Sequence, residues 1–272
     1  MYDPSPIAAL LVAVCVGVAC GALSPVVVAR RWAFAAEGIA HSAFGGAGVA
    51  WILAIMLPAA GSALGVEIAV VAACLTTALA MALLSRRRGV SVDVAVGVVL
   101  SLALAVGFIG QGVYFSATRM QPVGFYALLV GRSDLAWIDA LVAGAVTVGV
   151  VGVLVLIRRG VLAFAVDPEL ARSSGLPERA VHFLLMLLLA AVVALGVRLA
   201  GSLLVTALLV LPAATAGRLT RKLGPALWLS VLLAPAATLI GHLAAAQVDW
   251  LPPGPAVVIT ATLPFGVSLL KR

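Results

Sequence analysis

Apolar runs of about twenty residues, separated by short charged loops, recur from one end of this chain to the other, and that pattern constrains the fold more than any motif. Only 10% of its 272 residues are charged and 64% are hydrophobic. Soluble domains carry about 25% charge, so this chain has too little polar surface to cover a water-soluble globule. The solvent around it is lipid. The length predicts an all-α, polytopic transmembrane bundle of eight or nine spans with short re-entrant or broken helices, forming one permease-sized domain over 1–272. No room is left for a sizeable extramembrane domain, so any soluble machinery comes from a partner chain.

Spans are expected near 7–29, 38–57, 64–84, 92–112, 135–157, 181–199, 201–216, 225–246 and 255–270. The first lacks a basic region before it and is long for the core of a signal peptide, so it reads as a span. Cys15, Cys20 and Cys74 fall in apolar runs with no CxxC spacing and read as small core residues. The stretch Gln121–Gly131, "QPVGFYALLVG", is too short to cross and is expected to re-enter or lie at the surface. In "GSLLVTALLVLPAATAG" Pro212 is expected to break the helix, as broken helices are tolerated at membrane depth where they face protein or a water-filled cavity.

Basic residues set the orientation. Of the 17 lysines and arginines, Arg30, Arg31, Arg86, Arg87, Arg88, Arg158, Arg159, Arg172, Arg179, Arg218, Arg221, Lys222, Lys271 and Arg272 fall at alternate loops, leaving Arg119, Arg132 and Arg198 for the others. By the positive-inside rule the N-terminus is outside and the C-terminus inside. The net charge of +7 is then a topology signal. It does not indicate nucleic acid, whose readers keep a basic face on a folded soluble module.

The longest inside loop, about 158–182, contains "DPELARSSGLP". Asp167 can cap a short helix with Pro168 in its first turn, ending near Gly175 and Pro177. It is either an ordinary loop helix or a lever pressed by a cytoplasmic partner.

One ionisable pair lies inside a span. Glu37 and His41, in "AAEGIAHSAFGGAG", are four positions apart and share a helix face. A charged group there costs about 2.5–3.5 kcal/mol on insertion scales, so one that persists usually pairs or lines a path. Carboxylate plus imidazole is a partial ligand set for zinc, manganese or iron. Gly38, Gly45 and Gly48 on that face either permit close helix approach or leave room for a passing solute. The plainer alternative makes Glu37 an interfacial residue near Arg30 and Arg31, and His41 a packing group. His182 begins a span near the interface and His242 sits among small apolar residues, so neither is marked as a ligand. No HExxH and no P-loop lysine motif occurs, which argues against a metalloprotease or an ATPase.

In order along the chain, "RRWAFAAEGIAHSAFGG", "SVDVAVGVVLSLALAVG", "DPELARSSGLP", "GSLLVTALLVLPAATAGRLTRKLG" and "LPPGPAVVITATLPFG" resemble the membrane permeases of ABC-type zinc and manganese uptake systems. The resemblance implies a transport subunit with no catalysis of its own, in the bacterial cytoplasmic membrane. It also implies a second permease copy or paralogue, a separate ATP-binding subunit, an extracytoplasmic metal-binding protein, and a divalent metal ion (zinc, manganese or iron) as cargo. Glu37 and His41 match the family's metal gate, although many members have Asp at the first position. Asp167, Pro168, Glu169, Leu170, Ala171, Arg172 and Gly175 match its coupling helix. At Leu128–Gly131 the chain reads "LLVG" where relatives often have a Leu-Phe-Gly turn.

Two rival transport readings stand beside this one. Pro212 and the short segments also suit a secondary, ion-coupled transporter, which has no evident use for the capped helix in the long basic loop. An ABC permease for iron chelates or vitamin B12 needs more spans and a wider path. An intramembrane enzyme is disfavoured, because no nucleophile is paired with the one acid deep in a span.

Overall fold

The computed structural model describes residues 5–85, 92–122, 124–125, 128, 131–132, 135–166, 177–220, 222–248 and 250–270. Among them the chain forms ten α-helices and one 3-10 turn, with no strand. In chain order the helices are α1 (Pro6–Ala29), α2 (Ala33–Ala54), α3 (Ala63–Leu84), α4 (Val92–Thr118), α5 (Trp137–Leu156), α6 (Arg158–Val166), α7 (Glu178–Ala200), α8 (Ser202–Leu219), α9 (Leu223–Ala245) and α10 (Pro253–Leu270). Each of the nine expected spans coincides with one helix. The largest boundary difference is the end of α4, at Thr118 instead of 112.

Among the described residues seven helices are long and apolar enough to cross a membrane, and the apolar part of α8, Leu204–Leu219, is shorter. The remaining long helix, α2, carries Glu37, His41, Ser42 and four glycines, which dilute its apolarity. The helix α6 is an addition to the sequence reading. It is short and two-faced, with Val161 and Phe164 buried and Arg158 and Arg159 exposed.

Most of α1 and α7 is buried, whereas α4 and α5 expose most of their length. One hydrophobic core runs from Val12 to Val257 and draws on nearly every helix. Two cavities mark the ends of the bundle. One, of about 270 Å³, lies between the start of α1, the end of α9 and the start of α10, beside His242. The other, of about 310 Å³, is lined by Arg30, Trp32, Ser85, Phe164, Glu178 and His182 and gathers the loop ends that carry the basic residues.

Pro212 does not break α8, which runs uninterrupted to Leu219, contrary to the sequence expectation. Proline disturbs the local ladder of helical hydrogen bonds, and here the next backbone N–H, that of Ala213, donates to the buried Ser24 Oγ of α1 at 3.1 Å. A matching brace serves Pro25 within α1. Proline has no N–H to offer the carbonyl four residues back, Gly21, and that carbonyl accepts from Ser230 Oγ of α9 at 3.2 Å. Serines on neighbouring helices thus fill the gaps left by prolines, as the lipid interior requires. The α7–α8 corner is a single residue, Gly201, at φ 86° and ψ 158°, a conformation open to glycine.

Candidate functional site

The site begins at a tight turn. Arg31 adopts φ 57°, and the N–H groups of Arg30, Arg31 and Trp32 donate to the carbonyls of Val26, Val28 and Val27, so α2 starts directly from the end of α1. From Ala35 to Gly48 every residue of α2 is buried except Glu37 and His41. Their side chains are 30% and 22% exposed, a polar window in an otherwise sealed helix.

Glycines do the sealing. A methyl group at Gly48 would lie 2.5 Å from the Val106 carbonyl oxygen of α4, and one at Gly45 would lie 3.0 Å from Ala103 Cα. Gly46 is pressed likewise against the Ala69 carbonyl of α3, and Gly38 against Met81 of α3 and Val96 of α4. Of the two roles open to Gly38, Gly45 and Gly48, close helix approach is the one they fill. Farther along α2, the Phe44 ring meets Trp51, Phe108 and Phe125 at centroid separations of 5.9, 5.0 and 5.7 Å. Phe125 of the segment 121–131 thus lies against α2, and Leu128 is buried.

His41 Nδ1 lies 3.1 Å from the Glu37 backbone carbonyl oxygen and 3.3 Å from Glu37 Oε1. Both neighbours are acceptors, so Nδ1 is the nitrogen that donates here and Nε2 is the one turned away from Glu37. A carboxylate that holds the far nitrogen of an imidazole in this way fixes the ring and raises its basicity as a metal ligand. Among the described residues the ion pair of Glu37 is with His41, not with Arg30 or Arg31. Arg30 instead places its guanidinium 4.7 Å from the centroid of the Phe164 ring.

No group of three or more His, Cys, Asp or Glu able to hold a metal ion occurs among the described residues. Cys15, Cys20 and Cys74 are free thiols, Cys20 and Cys74 fully buried, and Cys74 Sγ points to the Ile39 carbonyl at 3.6 Å, packing α3 on α2. His242 lines the cavity at the far end of the bundle. Asp167, Pro168, Glu169, Leu170, Ala171, Arg172 and Gly175 lie outside the described residues.

An aromatic cluster that no sequence motif marks lies at the basic end. Trp32 meets His182 at 5.3 Å and Phe164 at 5.9 Å, and Phe164 meets His182 at 5.9 Å. Its members lie on three helices or their caps, far apart in sequence, and no spacing rule connects them.

The model of the ABC 3 transport family matches residues 4–272. The chain belongs to that family. Along 262 residues it is 27% identical to the manganese transport system membrane protein MntC of Listeria innocua, covering 96% of this chain and 89% of that one. To the high-affinity zinc uptake system membrane protein ZnuB of Haemophilus influenzae it is 29% identical over 271 residues, covering 97% and 96%. Among solved structures, PsaBC from Streptococcus pneumoniae in complex with Fab matches with TM-score 0.78 at 25% identity, covering 97% of this chain and 90% of that one. The chain is accordingly a multi-pass permease component of an ABC transport system, and the ion-coupled carrier reading is set aside.

Proposed function

We propose that this permease imports a divalent transition metal ion, zinc, manganese or iron, across the bacterial cytoplasmic membrane through a gate made by Glu37 and His41. The observation that carries the reading is the polar window of α2, where a Glu-held imidazole presents Nε2 in the one opening of a sealed stretch. The names of the relatives, transport membrane proteins for manganese and zinc, support the substrate class.

A second permease copy or paralogue completes the site. Two carboxylates and two imidazoles around a shared axis approach a four-coordinate shell suited to such an ion. A shell split between two chains also suits transport, because parting the halves lowers coordination and releases the ion without breaking a closed cage. An extracytoplasmic protein delivers the metal, and an ATP-binding subunit docks on Asp167–Gly175 at the inside. The N-terminus is outside and the C-terminus inside. Supporting this orientation, one end of the bundle gathers Arg30, Ser85 and the flanks of 167–176 around a single cavity.

The test is uptake of manganese, zinc and iron by proteoliposomes holding the permease, its ATPase and its binding protein. His41→Ala and Glu37→Ala abolish uptake while the complex stays assembled. Uptake near the parent level in His41→Ala overturns the gate.

A further inference from the structure

The cluster of Trp32, Phe164 and His182 links two regions that the proposed transport cycle must connect. We infer that it is the joint through which movement of the 158–182 loop reaches the gate helix α2, with Trp32, Phe164 and His182 as positioning residues. The inference rests on the reading that ATPase docking acts at 167–176.

Geometry supports it at three points. Phe164 lies near the end of α6 and His182 in the second turn of α7, so the two rings stand on either flank of 167–176. Both are buried, at 1% and 8% exposure, and both contact the one ring of Trp32, itself 5% exposed. Displacement of either flank therefore reaches Trp32.

Trp32 in turn has little freedom to absorb a push through its backbone. Its N–H donates to the Val27 carbonyl at the end of α1, and its own carbonyl accepts from Ala36 in the first turn of α2. From Trp32 a helix rises about 1.5 Å per residue, which places Glu37 and His41 roughly 7 and 14 Å along the same rod. A tilt or slide at Trp32 is delivered to the gate ligands with no flexible link between.

A joint also needs a second arrangement to move into. The cavity of about 310 Å³ is lined by these same three residues, together with Arg30, Ala35 and Met81 among others. Space beside the rings lets them slide past one another without overlap, whereas the glycine-sealed face of α2 has none.

The experiment uses the complete transporter in proteoliposomes and measures metal moved per ATP hydrolysed, with manganese and zinc as the probes. Equilibrium binding of Co²⁺ to the purified permease and its thermal midpoint are followed alongside. Trp32→Leu and Phe164→Leu keep an apolar, though smaller, side chain and remove the ring contacts. The expected result is a drop of about tenfold or more in metal moved per ATP, with Co²⁺ binding and ATP hydrolysis retained. His182→Leu behaves the same way, and His182→Phe, which keeps a ring, restores most of the coupling.

A packing role alone lowers the thermal midpoint but leaves the ratio of transport to hydrolysis intact in the folded fraction, and that result overturns the joint. Should Trp32→Leu fail to fold, the contrast between His182→Leu and His182→Phe decides: equal coupling in the two overturns it. Gly175→Trp, run in parallel, separates the two readings. If it uncouples the transporter while the ring variants do not, the joint is wrong and loop docking stands. If neither uncouples, energy enters elsewhere and both readings fail.

Discussion

The chain carries the spacing Glu-x-x-x-His twice, at Glu37/His41 and again at Glu178/His182, and the structure places the two pairs in unlike surroundings. His41 is 22% exposed by side chain, with its Nδ1 facing Glu37 and no aromatic ring among the described residues against it. His182 is a buried member of an aromatic cluster, flanked by Trp32, Phe164 and Phe183. Arg30 and Glu178 line the same cavity as His182. The spacing puts both side chains of each pair on one face; one face opens into a polar window and the other is packed against aromatic rings.

Counting bound metal ions separates the two pairs most strongly. Co²⁺ titrated into the purified permease should occupy the Glu37/His41 site alone. With the gate as proposed, His41→Ala should weaken that binding by about 100-fold or more, whereas His182→Phe leaves affinity and stoichiometry unchanged. Absorption in the visible range reports the bound cobalt. Loss of binding in the His182 variant would make the second pair a site after all.

Shortening the acid sharpens the account of the first pair. In Glu37→Asp the carboxylate remains available as a ligand but loses the methylene that brings it to Nδ1 of His41. Uptake should persist, with an apparent affinity for metal reduced by about tenfold, in line with the usual effect of removing a partner that orients a ligand. Initial rates of uptake against metal concentration measure it. An unchanged affinity would mean that the Glu37 carboxylate does not hold the ring.

Between the window and the sealed face of α2 the contrast is steric. Gly48→Ala would drive a methyl group against the Val106 carbonyl and the Gly107 backbone, neither of which is a yielding side chain. A loss of about 1–3 kcal/mol is expected, read as a lower thermal midpoint in detergent. Ala at Gly97 of α4, where a Cβ meets nothing within 4 Å, should fall near the unmodified protein.

A smaller effect is expected at the α1–α8 brace. Ser24→Ala leaves the Ala213 N–H without its acceptor in a buried setting, a cost of about 1–2 kcal/mol. The amide of Ala213 should then exchange its hydrogen faster than in the parent protein. Unchanged exchange would mean that α8 closes over Pro212 by another route.

The sequence by itself determined the places of the long helices, the polar pair and the class of the protein, though seven helices among the described residues, and not eight or nine, are long and apolar enough to span. Lipid imposes a length and an apolarity that each of the nine long helices had to approach, so their places are written locally, and an acid and a histidine inside one span stand out against that background. Other features depended on residues that meet only after folding. The continuity of α8 rests on Ser24, 189 positions from Ala213, and the N–H it accepts cannot be foreseen from the neighbours of Pro212. Glycine spacing on α2 permitted either a path or a close contact, and the backbones of α3 and α4 settled which. The E-x-x-x-H spacing likewise said that both Glu–His pairs share a helix face but not what each faces. Periodicity reports how a helix meets its solvent, whereas the role of a side chain is set by the atoms brought to it from other helices, and those arrive only with the tertiary fold.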